Sequence, residues 1–277
     1  MATCVESLPC DDCGSPAGVQ VYLNVDEALG VEWYTSFCHS ACWEQKGDPY
    51  VGKPPPAVHV KTEEERRSDL AVVQNCPRFM PKDPYRGIKP ETLRSWGLRL
   101  LYSEYDGKTP YAIGFPYSKD GELWAYKIRP LANKKFFAMG LSMSVVDLFG
   151  IKRALSMHGD TLYITEGEFD AMALEDCMSM VKWGWYPVVS APNGGGSLLK
   201  VLQEYDKDGA LWRRWQRIAL VLDDDEVGKQ AEEAVIAEWP ERDIVVVNKP
   251  KHCKDANDAL KKGYGLAMGR AALKQEL

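Results

Sequence analysis

The 277-residue chain is 45% hydrophobic and 27% charged and carries a formal charge of −6, the composition of an ordinary globular protein. Its longest uncharged stretch, Trp183 to Leu199, holds two Pro and four Gly, which excludes a membrane-spanning helix there. The start MATCVESLPCDD has neither a basic opening nor an apolar core, so no secretory signal is expected; in a reducing, cytoplasmic compartment eight cysteines read as metal ligands or buried thiols.

The charge is unevenly spread. Residues 1–50 carry −7, residues 51–160 carry +6 and residues 161–277 carry −5, which suggests three modules. The first, residues 1–50, is too small to rely on an apolar core alone. It contains two close cysteine pairs, Cys10-x-x-Cys13 and Cys38-x-x-x-Cys42. Such pairs supply four thiolates to one tetrahedral, structural zinc held by a small β ribbon, with His39 in place of Cys38 as a three-Cys, one-His alternative. Reduced, partly buried thiols are the plainer reading. Trp33, Tyr34 and His39 sit around the second pair and suit stacking on, or hydrogen bonding to, unpaired template bases; packing of the ribbon's own core is the competing role.

Residues 51–70, with Pro54 to Pro56 and the run TEEERRSD, read as an extended, flexible linker. Residues 71–158 read as a basic, mixed α+β subdomain with a short helix near Pro90 to Trp96. Strands at 111–117 and 123–128 flank Asp120-Gly121, a hairpin turn signal. Lys127, Arg129, Lys134 and Lys135 gather positive charge on the second strand and just after it.

From residue 159 to 262 the pattern becomes alternating strands and helices. LYIT (162–165), PVVS (187–190), IALVL (218–222) and DIVVV (243–247) are continuous apolar strands, implying a mainly parallel sheet in an α/β domain. Residues 263–277 read as a terminal helix. Acidic clusters follow three of the strands: Glu166 to Asp170, Asp223 to Glu226, and Asp255. In open α/β sheets ligands bind beyond the carboxyl ends of the strands, so these acids are expected to converge. If the strand persists, Asp223 and Asp225 point to the same side. Acids grouped in this way repel one another unless hard divalent cations sit between them, which points to Mg²⁺ or Mn²⁺, two ions in all, and to phosphoryl transfer. Taken singly, each cluster also suits a helix cap or a helix N-terminus.

ITEGEFD, VLDDDEVG and KDAND resemble the Glu-Gly, Asp-x-Asp and terminal Asp motifs of the Toprim domain shared by bacterial-type primases, topoisomerases and some nucleases. LPCDDCGSPAG and SFCHSACW resemble the zinc module of the phage primase-helicases related to mitochondrial Twinkle, while YRGIKPETLRSWGL, DGELWAYKIRP, NKKFF and DLFG resemble that group's RNA polymerase subdomain. The resemblance runs in order from about residue 8 to 270. It implies a DNA primase that makes short RNA primers on single-stranded DNA from NTPs, with a zinc ribbon selecting the initiation site and a replicative helicase and DNA polymerase as partners. It matches Cys10, Cys13 and Cys38 to zinc ligands directly and Cys42 with one inserted residue, so the choice involving His39 stays open. Glu166 matches the catalytic glutamate that helps deprotonate the attacking 3′-hydroxyl, Asp223 and Asp225 the metal-binding pair, and Asp170 and Asp255 supporting acids. Lys127 and Arg129, with Lys134 or Lys135, match nucleotide- and template-binding residues.

No GxxxxGK[ST] occurs in the sequence, so the group's helicase activity is not expected, and the chain reads as a stand-alone primase or the primase half of a fusion. Two other readings use the same motifs: a Toprim metal-dependent nuclease, and a catalytically silent adaptor that binds single-stranded DNA or a helicase.

Overall fold

The computed structural model describes residues 2–12, 14–26, 31–38, 49, 62–103, 105–132, 136–141 and 143–274. It divides into two compact units, residues 1–62 and 63–277. The first unit is a three-stranded antiparallel sheet of β1 (Ala2–Leu8), β2 (Val19–Asp26) and β3 (Val31–Cys38), in that order. Cys10 follows β1 in a tight turn: its N–H donates to the Ser15 carbonyl and its carbonyl accepts from the Gly14 N–H, both at 2.9 Å. Cys38 ends β3 opposite Val19. Cys10, Val19 and Cys38 are buried in one cluster with Leu8 against it.

The second unit opens with α1 (Glu63–Asn75), which corrects the expected linker: residues 63–70 are helix. The charge run lies on the helix's exposed side, with Glu63 and Arg67 paired one turn apart, while Val73 is fully buried and Leu70 packs beside it. Next come α2 (Pro90–Ser95) and an antiparallel sheet of β4 (Arg99–Tyr102), β5 (Pro110–Lys119), β6 (Glu122–Pro130) and β7 (Phe137–Gly140) in sequential order. Asp120 and Gly121 both have positive φ, 51° and 81°, the geometry that lets a two-residue hairpin follow the twist of β5 and β6.

After α3 (Ile151–Leu155) the chain alternates: β8 (Thr161–Thr165), α4 (Glu168–Val181), β9 (Val188–Ser190), α5 (Leu198–Tyr205), α6 (Ala210–Arg214), β10 (Arg217–Val221), α7 (Glu226–Glu238), β11 (Asp243–Val246), α8 (Ala256–Lys261) and α9 (Gly265–Leu273). All four strands are parallel, in the order β11-β10-β8-β9. As the continuous apolar runs predict, every residue of β8 and β9 is buried.

Helix α4 joins the two sheets of this unit. Ile113, Phe115 and Tyr117 of the antiparallel sheet share one buried core with Tyr163 of β8 and with Phe169, Met172 and Cys177 of α4. Two acids that this burial would otherwise strand are satisfied. Glu175 accepts from the Trp96 indole at 2.8 Å and pairs with Arg153 at 2.5 Å, and Asp176 accepts from the Lys89 N–H at 2.6 Å and from the Thr92 hydroxyl. Burial pushes the Glu175 carboxyl up, against the pull of Arg153.

Candidate active site

The carboxyl ends of β8 and β10 and the turn before α8 bring Asp170, Asp223 and Asp255 together, one oxygen from each lying within 4.8 Å of the others. Asp170 comes from the first turn of α4, Asp223 lies two residues past β10, and Asp255 caps α8 by accepting from the Asp258 N–H at 2.6 Å. Burial, and then the Asp255 charge, hold the Asp170 carboxyl well above the usual range. The Lys254 ammonium lies 2.8 Å from Asp223 and partly neutralises the cluster.

Glycines at two positions let the backbone fold this closely. A Cβ on Gly167 would stand 2.7 Å from Asp170 Oδ2, which gives the Glu-Gly motif its glycine. A Cβ on Gly228 would run into the Asp223 carbonyl oxygen, so the first turn of α7 packs onto the acid-bearing loop only without one.

The other two expected acids stand differently. β10 ends at Val221, so Asp223 and Asp225 are not on a continuing strand, and Asp225 caps α7 by accepting from the Gly228 N–H at 3.0 Å. Glu166 faces the glycine-rich loop after β9: a Cβ on Gly195 would sit 3.3 Å from its Oε2. That oxygen is buried with no hydrogen-bond partner among the described residues. Burial, then Asp223 and, more weakly, Asp225 push the Glu166 carboxyl up. Among the described residues Asp170, Asp223 and Asp255 are therefore the convergent set, with Glu166 and Asp225 in electrostatic contact with it. A hard divalent cation fits these donors: all are carboxylate oxygens, they repel one another, and one buried oxygen has no partner.

Lys127 and Arg129, two apart on β6, point toward this region. Lys127 is no solvated edge residue. Its ammonium pairs with Glu168 at 2.8 Å, donates to the Pro192 carbonyl at 2.9 Å and lies 4.6 Å from the centre of the Phe136 ring. Glu168 also accepts from the fully buried Tyr117 hydroxyl at 2.7 Å, and this contact, after burial itself, pushes the phenol well up. Arg129 lies 5.2 Å from the Phe169 ring centre, with its guanidinium held below its ordinary value by burial and by Arg86.

Glu168, Tyr117, Arg86 and Asn257 are the participants that sequence reasoning missed. Arg86 stacks 4.7 Å from the same Phe169 ring and donates to Asn257 at 3.0 Å; Asn257 donates back to the Arg86 carbonyl at 2.9 Å and, through its N–H, to Asp170 at 3.0 Å. Arg86 and Gly87 form a two-residue turn between Tyr85 and Ile88, with φ 57° and 83°. An Arg-Gly pair where Asn-Gly is usual was the available signal. Neither Arg86 nor Arg129 has a carboxylate ion-pair partner among the described residues.

In the first unit, Trp33 is 47% exposed on β3 and so is not core, while Tyr34 is half-buried. A Tyr22–Phe37 stack at 5.2 Å packs this small sheet instead. Cys13, Cys42, His39, Lys134 and Lys135 lie outside the described residues.

Residues 163–260 match the Toprim-like family model. The chain is similar to the DNA helicase/primase of Enterobacteria phage T3, 27% identical over 266 residues, which span 90% of this chain and 40% of that protein. The primase fragment of the bacteriophage T7 primase-helicase protein superposes with a TM-score of 0.57 at 25% identity, covering 99% of this chain and all of that one. The zinc-binding and RNA polymerase domains of the Aquifex aeolicus primase, 13% identical with a TM-score of 0.52, share the fold over 98% of this chain and 80% of theirs.

Proposed function

We propose, from homology to phage primase-helicases over most of its length, that this chain is a DNA primase: a template-directed RNA polymerase that assembles short primers on single-stranded DNA. The observation that carries the reading is the convergence of Asp170, Asp223 and Asp255 beside half-buried Glu166, whose Oε2 has no hydrogen-bond partner among the described residues, at the carboxyl ends of a parallel sheet. Asp170, Asp223 and Asp255 would hold Mg²⁺ or Mn²⁺, with Glu166 and Asp225 serving a second ion. Bound there, divalent ions supply charge neutralisation for phosphoryl transfer. Glu166 accepts the proton of the attacking 3′-hydroxyl. That oxygen bonds to the α-phosphorus of an incoming NTP, and the α–β bridging oxygen leaves with diphosphate.

Arg86 and Arg129, stacked on Phe169 and without an ion-paired carboxylate among the described residues, are placed to hold phosphate groups of nucleotide or template, and Lys127, fixed by Glu168, presents a third cation beside them. Lys134 and Lys135 extend this basic strip. In the first unit Cys10, Cys13, Cys38 and Cys42 would hold a structural zinc, with His39 in place of Cys38 as the alternative, and Trp33, Tyr34 and His39 would read template bases. The same reading divides the chain into a zinc ribbon (1–50), a tether reaching residue 62, a basic subdomain and a Toprim domain (159–262). A replicative helicase and a DNA polymerase are its partners in the host cytoplasm; a solved structure 27% identical to this chain, TM-score 0.54, is described as primase domains interacting with bacteriophage T7 lagging-strand DNA polymerase and bound to an RNA/DNA hybrid and dTTP.

The test is synthesis on single-stranded templates of varied sequence with labelled NTPs and Mg²⁺. Short oligoribonucleotides are expected. A folded protein that makes none, or that degrades the template instead, overturns the reading.

A further inference from the structure

A second cleft adjoins the acidic cluster and shares Asp223 with it. It encloses about 570 Å³ between the Asn248–Lys254 segment after β11 and the first turns of α7. Four lysines line it, Lys229, Lys249, Lys251 and Lys254, against Asp223, Asp224 and Glu232. Their engagements are unequal. Lys254 pairs with Asp223 at 2.8 Å and Lys229 with Asp224 at 3.4 Å. Lys249 is half-buried yet donates to a backbone carbonyl, that of Leu222, at 2.6 Å. Lys251 is exposed and has no ion pair among the described residues. Among the described residues neither Lys249 nor Lys251 makes an ion pair, although the Lys249 charge acts on Glu232 across the cleft, and Lys249 is already partly desolvated. Once a cation takes Asp223, Lys254 loses its partner too, and the lysines outnumber the acids left to balance them.

The segment carrying these lysines is held in place. The Lys254 carbonyl accepts from the Asp224 N–H at 3.0 Å, and the His252 carbonyl accepts from Lys262 at 2.8 Å. His252 sits at φ 68°, a left-handed conformation that costs a residue with a side chain free energy. A fixed, cationic cleft that borders carboxylates suited to metal suits a compact polyanion better than an extended strand.

We propose that this cleft binds diphosphate, either the inorganic ion or the terminal phosphates of a nucleotide, with Lys249 and Lys251 as its principal donors. The assignment rests on the nucleotidyl-transfer reading above, in which diphosphate is the leaving group, and it gives that group a place apart from Arg86 and Arg129.

The experiment titrates the full chain with inorganic diphosphate in Mg²⁺, by calorimetry, and separately with ATP and with a single-stranded oligodeoxynucleotide. Wild type, Lys251→Ala and Lys249→Met/Lys251→Ala are compared, with thermal melts to verify folding. Loss of one charged donor is expected to weaken diphosphate binding about tenfold, with oligonucleotide affinity unchanged. A parallel loss of ATP affinity assigns the cleft to nucleotide phosphates as well; retention of ATP affinity assigns it to the released ion. If oligonucleotide affinity falls while diphosphate binding holds, the cleft is a DNA-backbone groove and the proposal fails. It also fails if folded Lys251→Ala binds diphosphate as wild type does. Lysine-dependent diphosphate binding by a protein that makes no primers would leave this site standing and remove the primase reading.

Discussion

Lys127 and Glu168 form a 2.8 Å ion pair with side chains 17% and 7% exposed, joining β6, an inner strand of the antiparallel sheet, to the helix that bears Asp170. Removing one member leaves the other charge buried beside Tyr117. Glu168→Gln is expected to destabilise the fold by about 3 kcal/mol, and Lys127→Met/Glu168→Gln to recover part of that loss. Denaturant unfolding of the four-protein cycle measures the coupling, and a value near zero would show that the pair contributes nothing.

Asp170 predicts a trade between stability and function. Its carboxyl is held well above the usual range by burial and by Asp255. Because the folded value exceeds the unfolded one, the group's stabilising contribution is complete below the unfolded pKa and is lost as pH rises through the folded one. At pH 8 without metal, Asp170→Asn should therefore melt above wild type. Added Mg²⁺ should raise the wild-type melting temperature and leave the variant's nearly unmoved. Equal Mg²⁺ responses would remove Asp170 from the metal-binding set.

Gly167→Ala places a methyl group 2.7 Å from Asp170 Oδ2, so that carboxylate must shift, while the φ of −118° is one any residue adopts. The expected result is a loss of synthesis of about 10²-fold with a small change in melting temperature. Gly228→Ala, whose Cβ meets a backbone oxygen instead, should lose both. Primer assays beside calorimetry separate the two cases.

Asp147 gives a pH prediction away from the acidic cluster. Burial, then the charge of Asp120, raise its carboxyl from 3.8 to about 6. The stability linked to it is full below about 3.8 and lost as pH rises through about 6. Asp147→Asn abolishes the loss. Since the group is half-exposed, the gain at pH 7.5 is discounted to on the order of 1 kcal/mol, and it should vanish near pH 3.5. Melting curves at the two pH values decide, and a gain of equal size at both would refute the cause.

Cys10 tests the proposed zinc. Cys10→Ser should release bound zinc and unfold the 1–62 unit, with the 63–277 unit keeping its melting transition, because a structural metal site contributes folding free energy directly. Unchanged zinc content in the variant would rule Cys10 out as a ligand.

The strands of the parallel sheet were legible because continuous runs such as LYIT and IALVL read alike in any context, and Asp120-Gly121 marked its hairpin by turn chemistry alone. The acids were legible as a set, but which of them converge was not. Asp170 meets Asp255 only after the three strands β9, β10 and β11 and the helices between them have been placed, and Asp225 turns away because its strand stops at Val221. The sequence offered Lys127 as a free nucleotide-binding cation, since nothing local reveals its pairing with Glu168 of α4. The run EEERR was read as tether because charge dominates it, although Leu70 and Val73 three residues apart already marked a buried face.

Two of the site's aspartates, Asp225 and Asp255, cap the helices that follow them. Selection for a folded protein would preserve both even in a descendant without the proposed activity, and would preserve Asp170 too, since it accepts from the Asn257 N–H in the first turn of α8; Glu166 caps no helix and, on the primase reading, is free to drift once catalysis is lost. In a census of related genomes, the glutamate is therefore the letter that, on the primase reading, separates working enzymes from retired ones.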